Sequence, residues 1–185
     1  QLVLPSVSIM DYLVRYGVIP EVARCSVAEE LDLARGDAVV LRTHRGLQTG
    51  SVVERLRARS VDHDAPAASV HSDEISAFVV VRRATAEDQT RLSQFADDAD
   101  SEFAQWCERI AQWKIDVQLI DLEWTLDQAK LILYVLNERG PECTKLAIQA
   151  AAAGLGVVEV QPVSGDGLVS QPSGSGGCGS CGCHN

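Results

Sequence analysis

The sequence predicts an α+β protein: a small, strongly bent β-sheet or barrel first, then two helices interleaved with strands. Three observations lead there. Short β-rich runs separated by turn residues crowd residues 12–54. A helical apolar period takes over across residues 84–114. Beyond it, two β-rich runs precede an Ala-rich helix and a last strand. The 185 residues suffice for one domain with a small satellite. Aromatics make up only 5%, so the core falls to Val, Leu, Ile and Ala.

The elements follow in order. "YLVRYGV" (12–18) and "EVARCSV" (21–27) are strands separated by Ile19-Pro20. "DAVVLRT" and "LQTGSVVE" are two more, joined through His44-Arg45-Gly46, where Gly46 suits a turn position of positive φ. Residues 55–76 are polar and aperiodic and read as an exposed loop. "AFVVVRR" (77–83) is a strand. Thr85 caps a helix over residues 84–114, with Asp88 in capping-box position. Leu92, Phe95, Ala96, Ala99, Phe103, Trp106, Cys107 and Ile110 form its apolar stripe. "DVQLIDLEWT" (116–125) alternates, with Ile120, Leu122 and Trp124 on the inner face. "KLILYVLN" (130–137) is apolar throughout, as a central strand is. Pro141 opens a second helix that stops at Gly154, and "VVEVQPV" (157–163) is the last strand.

Three segments result: a β subdomain with its loop (1–76), a second α+β subdomain (77–163), and a flexible Gly/Ser/Cys-rich tail (164–185). The order from residue 77 is that of a ferredoxin-like split β-α-β arrangement. Its first strand has a second place open to it, closing the N-terminal barrel.

The net charge is −10, which repels nucleic acid on average. The run at 146–158 falls well short of the roughly 20 apolar residues a membrane span needs. The start has no basic region before its apolar residues and reads as no signal peptide. The expected location is the cytoplasm, where cysteines serve as thiols or metal ligands.

Four stretches resemble the polymerase-suppressor C-terminal domain family, whose bacterial members include the YaaT/RicT-like stage-zero sporulation regulators. They are "YLVRYGVIPEVARCSV", "RGDAVVLRTHRGLQTGSVVE", "VVRRATAEDQTRL", and "KLILYVLNER" followed by "GVVEVQPV". The likeness spans about residues 11–163. It departs after Arg139, where "GPECTKL" replaces the family's acidic-aromatic-basic run. The resemblance implies a non-enzymatic regulatory adaptor that binds small helical partner proteins. It also implies links to RNA processing, signalling and iron–sulfur clusters.

The sharpest candidate site is the tail, "GSGGCGSCGCHN". Cys178, Cys181, Cys183 and His184 place four ligands within seven residues. One Zn²⁺ takes such a tetrahedral set. An iron–sulfur cluster usually needs a fourth cysteine, from another chain or from Cys143. The plain alternative is a tail with reactive thiols. Cys25 and Cys107 read as small buried hydrophobes, as does Cys143 despite its place in the first turn of a helix.

A basic stretch is the second candidate. Residues 35–59 hold Arg35, Arg42, Arg45, Arg55, Arg57 and Arg59 against Asp37 and Glu54, and Arg82 and Arg83 follow. A basic barrel face is one way to bind RNA. No aromatics interleave with these arginines, and ordinary strand faces with salt bridges explain them too. Asp97, Asp98, Asp100 and Glu102 make the long helix acidic, either as a solvated face or to dock a basic partner. No nucleophile motif, P-loop, dinucleotide fingerprint or HExxH occurs, so no catalysis is expected.

Overall fold

Tyr12, Val14 and Tyr16 alternate inward along β1 (Asp11–Tyr16), and each is nearly or fully buried. The same period-2 rule sets Ala23 and Cys25 of β2 (Glu21–Val27) and Val39 and Leu41 of β3 (Ala38–Thr43) toward the same core. Val52 of β4 (Gly46–Arg55) and Phe78 and Val80 of β5 (Ala77–Arg83) complete it. The five strands form a closed barrel in the order β1-β2-β5-β3-β4. Closure leaves no free edge, which suits so small a sheet. A computed structural model describes residues 10–27, 31–56, 77–137, 140–165 and 167–168.

β5 takes the second of its two expected places. It pairs parallel with β2 and antiparallel with β3, so it belongs to the barrel. The ferredoxin-like arrangement therefore lacks its first strand, and the barrel extends past residue 76. The physical reason is the inward pair Phe78 and Val80, which fills space between β2 and β3. Phe78 packs edge-on against Tyr16 at 5.6 Å.

Thr85 caps α1 (Ala86–Gln112), and the capping box with Asp88 is fully made. Its core residues are Phe95, Ala99, Trp106 and Ile110. Cys107 is exposed, so the stripe is narrower than expected: it sits one residue past Trp106, about 100° around the helix. α1 ends with Lys114 in the left-handed region (φ 53°) and the Ile115 N–H bonded to the Ile110 carbonyl at 3.2 Å. α2 (Pro141–Ala152) ends the same way, with Gly154 at φ 71°.

The second sheet has the order β6 (Gln118–Trp124), β7 (Leu131–Leu136), β8 (Val158–Ser164), β9 (Gly167–Leu168). α2 is the crossover between the parallel pair β7 and β8. Both helices cover one face, where Trp106, Leu119, Leu122, Leu133, Val135 and Leu146 share a core. The other face carries Ile132, Tyr134 and Val163, packed against Ile19 from the β1–β2 turn. The barrel thus lids the sheet. β7 is buried on both sides, which explains its unbroken apolar run.

Two further expectations are corrected. A register shift between Leu119 and Asp121 turns both Leu119 and Leu122 inward and leaves Ile120 exposed. β8 reaches Ser164 and is followed by β9, so the segment from 164 is not all tail.

Gly50 marks the tightest strand contact. A Cβ there would lie 2.7 Å from Val14 Cγ1 and 2.8 Å from the Arg15 carbonyl oxygen. The oxygen is backbone and cannot swing away. Gly50→Ala is expected to cost about 1–3 kcal/mol, read as a lower urea midpoint. An unchanged midpoint would contradict this account of the β1–β4 seam.

Candidate functional site

The described basic residues do not form one face. Arg45, in the β3–β4 hairpin, is only 2% exposed and lies where the barrel meets the second sheet. Its guanidinium pairs with Glu21 at the start of β2. Nη2 donates to Gln161 Oε1 at 3.4 Å, and Nε lies 3.8 Å from Glu159 Oε1, both on β8. Glu159 also takes Lys130 Nζ at 2.6 Å. Burial works against the charge of Arg45, but the bond and charge of Glu21 outweigh it and hold its pKa up.

A second chain of bonds runs beside the first. The Arg45 N–H donates to Thr43 Oγ1 (3.1 Å), which donates to Gln48 Oε1 (2.8 Å). Gln48 Nε2 donates to Glu123 Oε1 (2.9 Å). Glu123 Oε2 accepts from the Tyr134 hydroxyl (2.5 Å) and the Val18 N–H (3.2 Å). Burial, then the Glu123 charge, push the Tyr134 phenol far up, so it stays a donor. Partly satisfied buried networks are costly, and this one fills most of its donors and acceptors. His44, next to Arg45, has its pKa lowered by burial and then by the Arg45 charge, and its ring rests 5.6 Å from Phe78.

The other arginines point elsewhere. Arg82 grips Asp88 through both terminal nitrogens, Nη2 to Oδ1 at 3.0 Å. That bond, beyond the cost of burial, holds the Asp88 carboxyl well below the usual range, with Thr85 adding to it. Arg83 pairs with Asp37 at 2.5 Å. Arg42 and Arg55 are exposed. They do not converge: Arg42 pairs with Leu47, and Arg55 lies eight residues further along β4. That is about 26 Å at the usual rise per residue. Arg57 and Arg59 lie outside the described residues.

Cys178, Cys181, Cys183 and His184 also lie outside the described residues. Among the described residues no group of three or more His, Cys, Asp or Glu is placed to hold a metal ion. Cys25 is buried in the barrel, its thiol pushed up to about 12 by burial and then by Asp11. Cys143 is buried beneath α2, in the core that both helices share. Among the described residues no helix is long and apolar enough to cross a membrane.

Nothing in the sequence flagged a concavity that the described residues form. It is an open groove between the barrel, the first half of α1 and β6. One part, of about 490 Å³, is lined by Arg15, Gly17, Gly50, Ser51, Gln89 and neighbours. The adjoining part, of about 190 Å³, is lined by Val18, Phe95, Ala96, Leu122, Glu123 and Trp124. Gly17, Thr49 and Leu92 border both. The groove exists because the Arg45 and Glu123 bonds seat the barrel on the sheet beside α1. Its ionisable side chains are Arg15, Tyr16 and Glu123. Burial, then Glu21, raise the Tyr16 phenol. Polar residues in strands, Gln48 and Glu123, belong to the buried joint beside the groove and not to the groove's own pattern.

No family model, curated protein or solved structure matches the chain.

Two predictions follow from the charge pairs. Arg45→Met strands Glu21, a quarter exposed, while Glu159 keeps Lys130, and should cost about 3 kcal/mol in a chemical melt. Unchanged stability would mean that Arg45 does not join the two parts. For Asp88 the folded pKa is depressed, so its contribution is complete above the unfolded value of about 3.9 and is lost as pH falls through the folded one. Asp88→Asn should cost about 1–2 kcal/mol at pH 7, as a lost helix cap does. The gap between variant and wild type should narrow toward pH 2; a constant gap contradicts the assignment.

Proposed function

We propose that the chain is a non-enzymatic regulatory adaptor whose work is to bind protein partners. The observation that carries this reading is the open groove between barrel, α1 and β6. It mixes apolar side chains with backbone and hydroxyl groups, as peptide-binding surfaces do. The family resemblance of residues 11–163 points the same way and adds the modulation of RNA processing or signalling, through small helical partners in the cytoplasm.

In this reading Cys178, Cys181, Cys183 and His184 are the ligands of a Zn²⁺ or part of an iron–sulfur site. Three thiolates and an imidazole satisfy the tetrahedral preference of Zn²⁺. RNA contact through Arg42 and Arg55 is the competing reading. It is weakened by Arg45, Arg82 and Arg83 having acidic partners within the fold.

Anaerobic pull-down from native lysate, with proteins, RNA and metals identified, tests the reading. Discrete protein partners that survive ribonuclease are expected. Fe or Zn should co-purify and be lost in the Cys178/Cys181/Cys183→Ser variant. Association that needs RNA and disappears in Arg42→Glu/Arg55→Glu would overturn the adaptor reading.

A further inference from the structure

Resting on the adaptor reading, we infer that the groove takes one extended peptide segment, paired with the free edge of β6, carrying an aliphatic side chain and a carboxylate that meets Arg15. The edge comes first. Among the described residues β6 pairs with β7 on one side only. The Leu122 N–H donates to its neighbour's Asp121 Oδ1 at 2.7 Å rather than across the sheet. Leu131, opposite Trp124, turns its own N–H to the Val157 carbonyl at 3.0 Å. Backbone groups alternate sides along an antiparallel strand, so Leu122 and Trp124 both face the open edge. Both line the groove. Asp121 occupies the edge at Leu122, which limits non-specific pairing, and the edge at Trp124 stays open. Past Trp124 the edge closes where the Leu126 N–H meets the Leu47 carbonyl at 2.7 Å.

The groove's own chemistry names the side chains. Leu92, Phe95 and Trp124 form an apolar floor, with Val18 exposed on its rim. An aliphatic side chain at an alternate position of an added strand reaches that floor. Charge selects the rest. The Glu123 oxygens are filled by Tyr134, Gln48 and Val18, and Asp88, one residue before the lining Gln89, is held by Arg82. Arg15 is exposed and has no ion pair among the described residues. Among the described residues of the lining it is the one cationic side chain. The overall charge of −10 does not forbid an acidic segment, because repulsion between exposed charges is screened beyond about 8 Å at physiological salt.

The test uses the full chain and a displayed random heptapeptide library. Selected peptides should be rich in Val, Ile and Leu and carry Asp or Glu at a fixed spacing from them. A synthetic copy of the strongest should shift the backbone resonances of Leu122 and Trp124. Selection on Arg15→Glu should replace the acid by Lys or Arg, and Arg15→Glu should weaken the wild-type peptide about tenfold or more. An acid preference that survives Arg15→Glu, shifts confined to the acidic face of α1, binding only between copies of the chain, or no selected peptide overturns the inference. If native partners survive Arg15→Glu and Leu92→Asp while the peptide is lost or never found, the adaptor reading stands and this groove is not its site.

Discussion

A single buried guanidinium sets the relation between the two halves. Arg45 sits in a two-residue hairpin loop whose next residue, Gly46, has φ 131° and lies against Thr125. That conformation aims the side chain out of the barrel and into the face of the second sheet. Glu21 from the barrel and Glu159 and Gln161 from β8 receive it. A buried ion pair adds little net stability over a well-packed apolar contact, because desolvation consumes most of the attraction. What it adds is position. An apolar contact tolerates sliding; a guanidinium fitted to acceptors on two elements does not.

The placement has consequences at the other end of the joint. With Glu123 held by Gln48, Tyr134 and Val18, β6 comes alongside the β1–β2 turn, and α1 crosses above both. α1 is itself anchored at its start, where Asp88 serves the capping box and Arg82 together. The groove is the space these anchors leave. Its walls come from the barrel, α1 and β6, far apart in sequence, so its shape depends on the joint more than on any local motif. The adaptor function proposed for it would then rest on strands, a helix and one short turn, that between β1 and β2.

Much of this architecture was legible from residues. β-rich runs bounded by turn residues located every strand except the short β9, and the capping box and Pro141 located both helix starts. What local pattern could not supply was pairing. "AFVVVRR" reads as a strand in either sheet, and only the fit of Phe78 and Val80 between β2 and β3 decides. The bulge at Leu119/Asp121 was hidden because an extra residue leaves composition untouched. The site was less legible. Counting arginines suggested a basic face, but a count is blind to burial, and Arg45 lies inside. Inward polar residues on β4 and β8, Gln48 and Gln161, are the trace a buried joint leaves in sequence. The groove left no trace, since no stretch of chain contains it.

Native-state hydrogen exchange tests the joint most directly. Amides of Leu41 and Val80 report the barrel, and those of Leu133 and Val135 report the sheet beneath it. If Arg45 and Glu123 make one cooperative body, all four open with the same free energy, equal to that of global unfolding. Two separate values, one for the barrel and a distinct one for the sheet, would contradict the account.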